Sequence, residues 1–120
     1  MTAKAGLKKA QIVRIAKECA RLLDEKKARD ICVMDLMRVN SYLDYFIIAT
    51  GNSAIHCRAL AREAQGYLRS IGLHERAKPS LESPWIVLDY SEIVIHIFTQ
   101  EMRDYYQLEK LWADAERIQY

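Results

Sequence analysis

What this 120-residue chain lacks narrows its chemistry at once. It has no Cys-x-x-Cys pair. Its three cysteines, Cys19, Cys32 and Cys57, are odd in number and widely spaced, so neither a zinc ribbon nor a dithiol redox motif is written here. Each lies in an apolar stretch, the pattern of a small buried side chain in a reducing compartment. There are four glycines, none of them in a G-x-G-x-x-G or Walker arrangement, so no phosphate-cradling loop is indicated. The three histidines, His56, His74 and His96, belong to no His/Cys/Asp/Glu cluster with metal-ligand spacing. His56 and Cys57 are adjacent, and on a helix their side chains diverge. The apolar runs at 45–49 and 93–98 fall far short of the roughly 20 residues a membrane-crossing helix needs. Lys4, Lys8 and Lys9 make the start basic, but Gln11 and Arg14 interrupt any signal-peptide core. The expectation is a cytoplasmic protein with no membrane association, no metal and no cofactor.

What is present is a core-forming composition: 51% apolar and 28% charged residues, enough for one α/β domain over residues 1–120. The net charge of +2 hides an asymmetry. Residues 1–29 carry nine Lys or Arg against three Asp or Glu, whereas residues 82–120 carry three against eight. The acidic end suits a basic protein surface better than a phosphate backbone.

Apolar residues Ile12, Ile15, Ala16, Cys19, Leu22 and Leu23 recur at helical spacing and predict an amphipathic helix over about 7–27, after a loose start at 1–6. Residues 31–36 read as a strand and 39–42 as a turn. Residues 45–49 read as a second strand, nearly continuous in apolar character and so covered on both faces. The turn Gly51-Asn52-Ser53 then caps a helix. Its apolar face is Cys57, Leu60, Ala64, Tyr67 or Leu68, and Ile71, and Gly72 suits a left-handed terminus. Residues 74–84, with Pro79 and Pro84, form a loop or a short edge strand. Residues 85–88 and 93–98 pair as a hairpin, and the chain turns helical after Thr99. A mixed β-sheet flanked by helices follows.

Gly51-Asn52-Ser53 is the one turn that invites a catalytic reading. Nucleotidyltransferase folds place a Gly-Ser turn there, followed by a pair of acids that hold a divalent metal against a triphosphate. Here Arg58, Arg62 and Glu63 occupy the interval, and no paired acids follow. The strands also lack the aromatic interleaving of RNA-recognition modules, so no direct sequence-specific nucleic-acid binding is expected. Aromatic side chains instead suggest a protein interface. Trp85 opens a strand, Tyr90 stands at a hairpin tip with little to pack on, and Tyr105, Tyr106 and Trp112 crowd the last helical segment.

Three blocks resemble one family. Asp44-Tyr45-Phe46-Ile47-Ile48-Ala49-Thr50-Gly51-Asn52-Ser53 with His56 is similar to the D-Y-F-V-I-A-T-G-x-S-x-x-H block of the ribosomal silencing factors, also called Iojap-like. Residues 85–98 resemble that family's W-x-x-x-D hairpin with its V-V-H-x-F strand. Arg103, Tyr106 and residues 108–115 resemble its closing R-x-x-Y-x-L-E-x-L-W-x-D-A block. The resemblance spans about residues 10–118. It implies a nucleotidyltransferase-like α/β fold without the catalytic acids. It also implies a non-enzymatic protein that binds large-subunit ribosomal protein fourteen and obstructs subunit joining.

The family's binding positions map to Trp85, Tyr90 and Tyr106, with an aliphatic residue often standing where this chain has Tyr90. Asp89, Arg103 and Glu109 complete the expected partner-binding set. The loop before the tryptophan departs from the family, with Lys78-Pro79-Ser80 in place of a Glu-Gly pair. A nucleotidyltransferase-like enzyme and a generic protein-binding adaptor are the competing readings, and homodimerisation through the aromatic side chains is a further expectation.

Overall fold

The computed structural model describes residues 8–39 and 44–120. The loose start expected at 1–6 and most of the turn expected at 39–42 lie outside the described residues. Helix α1, Lys9–Glu25, presents Ile12, Ile15, Ala16, Cys19, Ala20 and Leu23 to the core along one stripe. It ends in a Schellman arrangement. Lys27 adopts a left-handed conformation (φ 75°), Ala28 N–H donates to the Leu23 carbonyl (3.0 Å), and Lys27 N–H donates to Asp24 (3.0 Å).

Strand β1, Arg29–Asp35, follows directly and pairs antiparallel with β2, Tyr45–Gly51. Every residue of β2 is buried, as its unbroken apolar run requires. Helix α2, Ala54–Ser70, carries the chain back over one face to strand β3, Trp85–Asp89. Gly72 terminates α2 as expected, with φ 88°, the same two-bond closure and buried Leu73 behind it. Strand β4, Ile93–Thr99, pairs antiparallel with β3 and parallel with β2. Residues 74–84 contain no strand. Within them Arg76 N–H donates to the Asp89 carbonyl (2.8 Å) at the outer edge of β3, and Glu75 and Glu82 reach Gln65 and Arg58 of α2.

The helical region after Thr99 is two helices rather than one. Helix α3, Gln100–Tyr106, stops at Gln107, whose left-handed φ of 46° turns the chain into α4, Leu108–Leu111. A short strand absent from the sequence reading, β5, Glu116–Ile118, then pairs antiparallel with β1. The sheet order is β3-β4-β2-β1-β5. Helices α1 and α2 cover one face, burying Ile47, Ala49, Ile86, Leu88, Ile95 and Ile97 with the helix stripes. The other face carries Met34, Phe46, Ile48, Val94 and Phe98 under Leu108 and Ala115, with Trp85, Met102 and Trp112 at its margin. Among the described residues, only the short carboxyl-terminal elements cover that second face, and Val87 and Tyr106 remain exposed beside it.

Candidate protein-binding face

Strand alternation decides which aromatic side chains meet. Along β3, Ile86 and Leu88 point to the α1–α2 side, while Trp85, Val87 and Asp89 point to the other. Register carries this across the sheet: Trp85 sits opposite Phe98, and Val87 opposite His96. His96 in turn lies beside Ile48, and Val94 beside Phe46. Trp85, His96 and Phe46 therefore share the open face although 39 and more residues separate Phe46 from the other two.

The result is a continuous row of rings. The ring centroids of Tyr105 and Tyr106 are 5.1 Å apart, Tyr106 and Trp85 4.6 Å, and Trp85 and His96 5.7 Å. His96 lies 4.4 Å from Phe46, which meets Trp112 edge-on at 6.1 Å. One end of the row is open to solvent: Tyr105 is 76% exposed, Tyr106 42% and neighbouring Val87 38%. Trp85 and Trp112 are half-buried. Large amphipathic rings in such a setting suit an interface, where a rigid apolar body can be covered at little cost in side-chain entropy.

Tyr90 overturns the expectation placed on it. The hairpin connection continues the alternation of β3, so its ring falls on the side of Ile86 and Leu88 and is 1% exposed. Tyr90 O–H donates to Glu75 Oε1 (3.1 Å), and the same carboxylate accepts from Gln65 Nε2 (3.0 Å). Burial and the adjacent Glu75 charge raise the phenol pKa well above its ordinary value. The ring belongs to the core on the α1–α2 side and turns away from the Trp85 row, having ample packing within its own chain.

Arg103 is likewise buried rather than displayed. Its Nη1 donates to the Asp30 carbonyl (2.6 Å) and to Thr50 Oγ1 (2.7 Å), and its Nε donates to Glu109 Oε1 (2.9 Å). The Asp30 carbonyl lies where the β1–β2 register shifts and Asp30 has φ 48°, so the guanidinium satisfies a carbonyl that the ladder leaves out. The Arg103 hydrogen bond holds the Glu109 carboxyl below the ordinary carboxylate range, against the opposing effect of burial. Arg103 and Glu109 thus form a clasp that ties α3 and α4 to the sheet. Asp89 is half-exposed, accepts from Ser91 N–H (2.8 Å) and lies 3.8 Å from Arg76 Nη1. Of the six expected partner-binding residues, Trp85 and Tyr106 meet on the open face, Asp89 lies at its hairpin end, and half-buried Glu109 is held by Arg103 with Arg117 nearby.

The Gly51-Asn52-Ser53 turn at the end of β2 also has a structural employment. Ser53 Oγ accepts from His56 N–H (3.1 Å) and caps α2. His56 Nδ1 accepts from Asn52 N–H (2.9 Å), and its Nε2 lies 2.8 Å from the Lys26 carbonyl, joining the start of α2 to the end of α1. A cleft opens nearby, at the carboxyl ends of parallel strands β2 and β4, where α/β sheets commonly take ligands. It is lined largely by Ala54, Cys57, Pro84, Thr99 and Met102, with Arg58 and Glu82 paired at 3.7 Å beside it. Among the described residues no group of three His, Cys, Asp or Glu is placed to hold a metal. Cys57 is buried and its thiol pKa is raised, chiefly by desolvation, which disfavours a nucleophilic thiolate. Among the described residues no helix is long and apolar enough to cross a membrane.

Known proteins resemble this chain over most of its length. Residues 9–120 match the family model described as ribosomal silencing factor during starvation. A ribosomal silencing factor RsfS of Bacillus subtilis (strain 168) is 36% identical over 102 residues, covering 84% of this chain and 86% of the relative. A Mus musculus protein named mitochondrial assembly of ribosomal large subunit protein 1 is 33% identical over 96 residues, or 77% of this chain and 42% of that longer protein. A crystal structure from Chromobacterium violaceum superposes with a TM-score of 0.78 at 30% identity, covering 89% of this chain and 88% of its own.

Proposed function

The chain belongs to the ribosomal silencing factor family, and from that premise we propose that it binds the large ribosomal subunit through ribosomal protein fourteen and blocks joining of the small subunit. The family points to ribosome-associated repression of translation. The observation that carries the finer reading is the open row of rings from Tyr105 through Tyr106 and Trp85, with the exposed acidic side chains Glu101 and Asp104 on the same helix as the two tyrosines. Rings of this kind supply the buried contact of a hot spot, and the acids complement a basic ribosomal protein.

The mechanism is steric. A body with principal extents of 37 × 32 × 25 Å, seated on the joining surface, occupies space the small subunit needs. No bond is made or broken, and no cofactor takes part. The place of action is the cytoplasm, where subunits join. Homodimerisation would compete for the same rings and would lower the concentration of binding-competent protein.

Two substitutions test the face directly. Trp85→Ala and Tyr106→Ala should each weaken binding to isolated large subunits by about 2 kcal/mol, roughly 30-fold in Kd, while still unfolding cooperatively, with a lowered midpoint for Trp85→Ala because its ring packs on Phe98 and His96. Either variant, if folded and binding within a few tenths of a kcal/mol of the parent, removes that residue from the interface.

A further inference from the structure

We infer that His96 is a positioning residue for Trp85, holding the indole in its docking orientation by accepting the Nε1 hydrogen. The inference rests on the reading that Trp85 contacts the partner.

His96 lies in the middle of β4 and is 5% exposed, on a face where Val94, Phe98, Phe46 and Ile48 are apolar. Trp85 Nε1–H donates to its Nδ1 at 3.0 Å. An acceptor at Nδ1 in a neutral ring leaves the hydrogen on Nε2. Nε2 is buried and finds no partner among the described residues. A buried donor left unmade costs more than a single made hydrogen bond returns. A phenylalanine or leucine here would remove that orphaned donor but leave the half-buried Trp85 Nε1–H without its acceptor, so the imidazole brings little net stability. Burial keeps the ring neutral by pulling its pKa from 6.5 down to about 4, and only the neutral ring offers an acceptor.

What the acceptor supplies is direction. The second side-chain torsion of a tryptophan is broad and roughly two-fold, so flat neighbours confine the indole without choosing which edge points inward. Tyr106 at 4.6 Å and Phe98 at 5.9 Å are flat neighbours of this kind. The hydrogen bond to His96 fixes the polar edge of the half-buried indole toward β4. A side chain ordered before docking need not be ordered during it, and one such ordering changes affinity by about five- to tenfold.

The test compares the parent full-length chain with His96→Phe, His96→Asn and Trp85→Ala in binding to purified large subunits. Thermal unfolding and the Trp85 indole N–H resonance are followed alongside. His96→Phe should bind about five- to tenfold more weakly while its unfolding midpoint is unchanged or higher, and its indole N–H should lose protection from solvent exchange. His96→Asn places an acceptor oxygen near the former Nδ1 and should bind within about threefold of the parent.

The inference is overturned if His96→Phe binds as the parent does, if affinity merely follows stability through the series, or if the parent indole N–H exchanges as a free indole would. It is overturned alone, with the proposed function intact, when the parent binds and Trp85→Ala binds equally well. When the parent itself fails to bind large subunits, the proposed function falls and the inference falls with it.

Discussion

Arg103 and His96 are the two largest buried polar side chains on the open face of the sheet, and they differ in how completely they are satisfied. Arg103 meets three acceptors from β1, β2 and α4. Replacing it by Met removes every one of these bonds and leaves the Asp30 carbonyl and Thr50 unpartnered. The expected loss is about 3 kcal/mol of folding stability, reduced somewhat because Glu109 retains access to water. Arg103→Lys should recover little, since one ammonium cannot reproduce the planar fork. Urea unfolding of both variants measures this, and a loss below 1 kcal/mol in Arg103→Met would contradict the clasp.

His96 yields a pH prediction. Its pKa is about 4 in the fold and 6.5 as the ordinary value, so the unfolded chain binds the proton first as pH falls. The fold is therefore at full strength above about 6.5 and weakens from there down to about 4. This group should contribute a loss of about 2 kcal/mol between pH 7 and pH 5. Urea unfolding of His96→Phe at the two pH values should lack that part of the loss. At this scale the sequence was partly legible. Trp85 and Tyr106 announced themselves as large amphipathic rings. Tyr90 was misread because a hairpin tip suggests exposure, whereas its ring obeys the alternation of the strand that leads into it.

The junction of β2 and α2 is the element whose local chemistry is tightest. A Cβ on Gly51 would stand 2.6 Å from Cys57 Sγ and 3.1 Å from the Cys57 backbone nitrogen. Glycine is needed there for close approach. Gly51→Ala should cost about 1–3 kcal/mol by overpacking, and adding Cys57→Ala should return part of it, since the sulfur goes but the backbone contact stays. Equal stability of the single and double variants would place the strain elsewhere. The main elements were legible because their signals are local: the stripe of α1, the unbroken apolar run of β2, Ser53 before α2 and Gly72 after it. The rest depended on tertiary context. Strand β5 is three residues of mixed character that become a strand by pairing Ile118 with Val33. The division of α3 from α4 turns on a left-handed Gln107, a conformation glutamine does not advertise.

At the scale of the whole molecule, the first 29 residues are basic and the last 39 acidic, and among the described residues the exposed helix charges of the two ends fall on opposite faces of the sheet. Arg14 and Arg21 project from α1 on one side of the sheet, while Glu101, Asp104 and Glu109 stand with α3 and α4 on the other. If the acidic side seats on a basic ribosomal protein, raising the salt from about 0.1 to 0.5 M should weaken the association, chiefly through slower binding. Titrating salt in a kinetic binding assay measures this, and a salt-independent on-rate would remove the charge contribution. Family membership was legible in three ordered blocks, yet only the register of β3, β4 and β2 revealed which of their aromatic residues touch.

Steric obstruction from the large subunit is open to a sucrose-gradient sedimentation experiment. Purified protein is run with isolated large subunits, with isolated small subunits, and with both under joining conditions. The protein should migrate with large subunits alone, and joined ribosomes should decline as it is added, an effect Trp85→Ala should blunt. Protein that stays at the top of every gradient, with joining unchanged, would contradict steric obstruction.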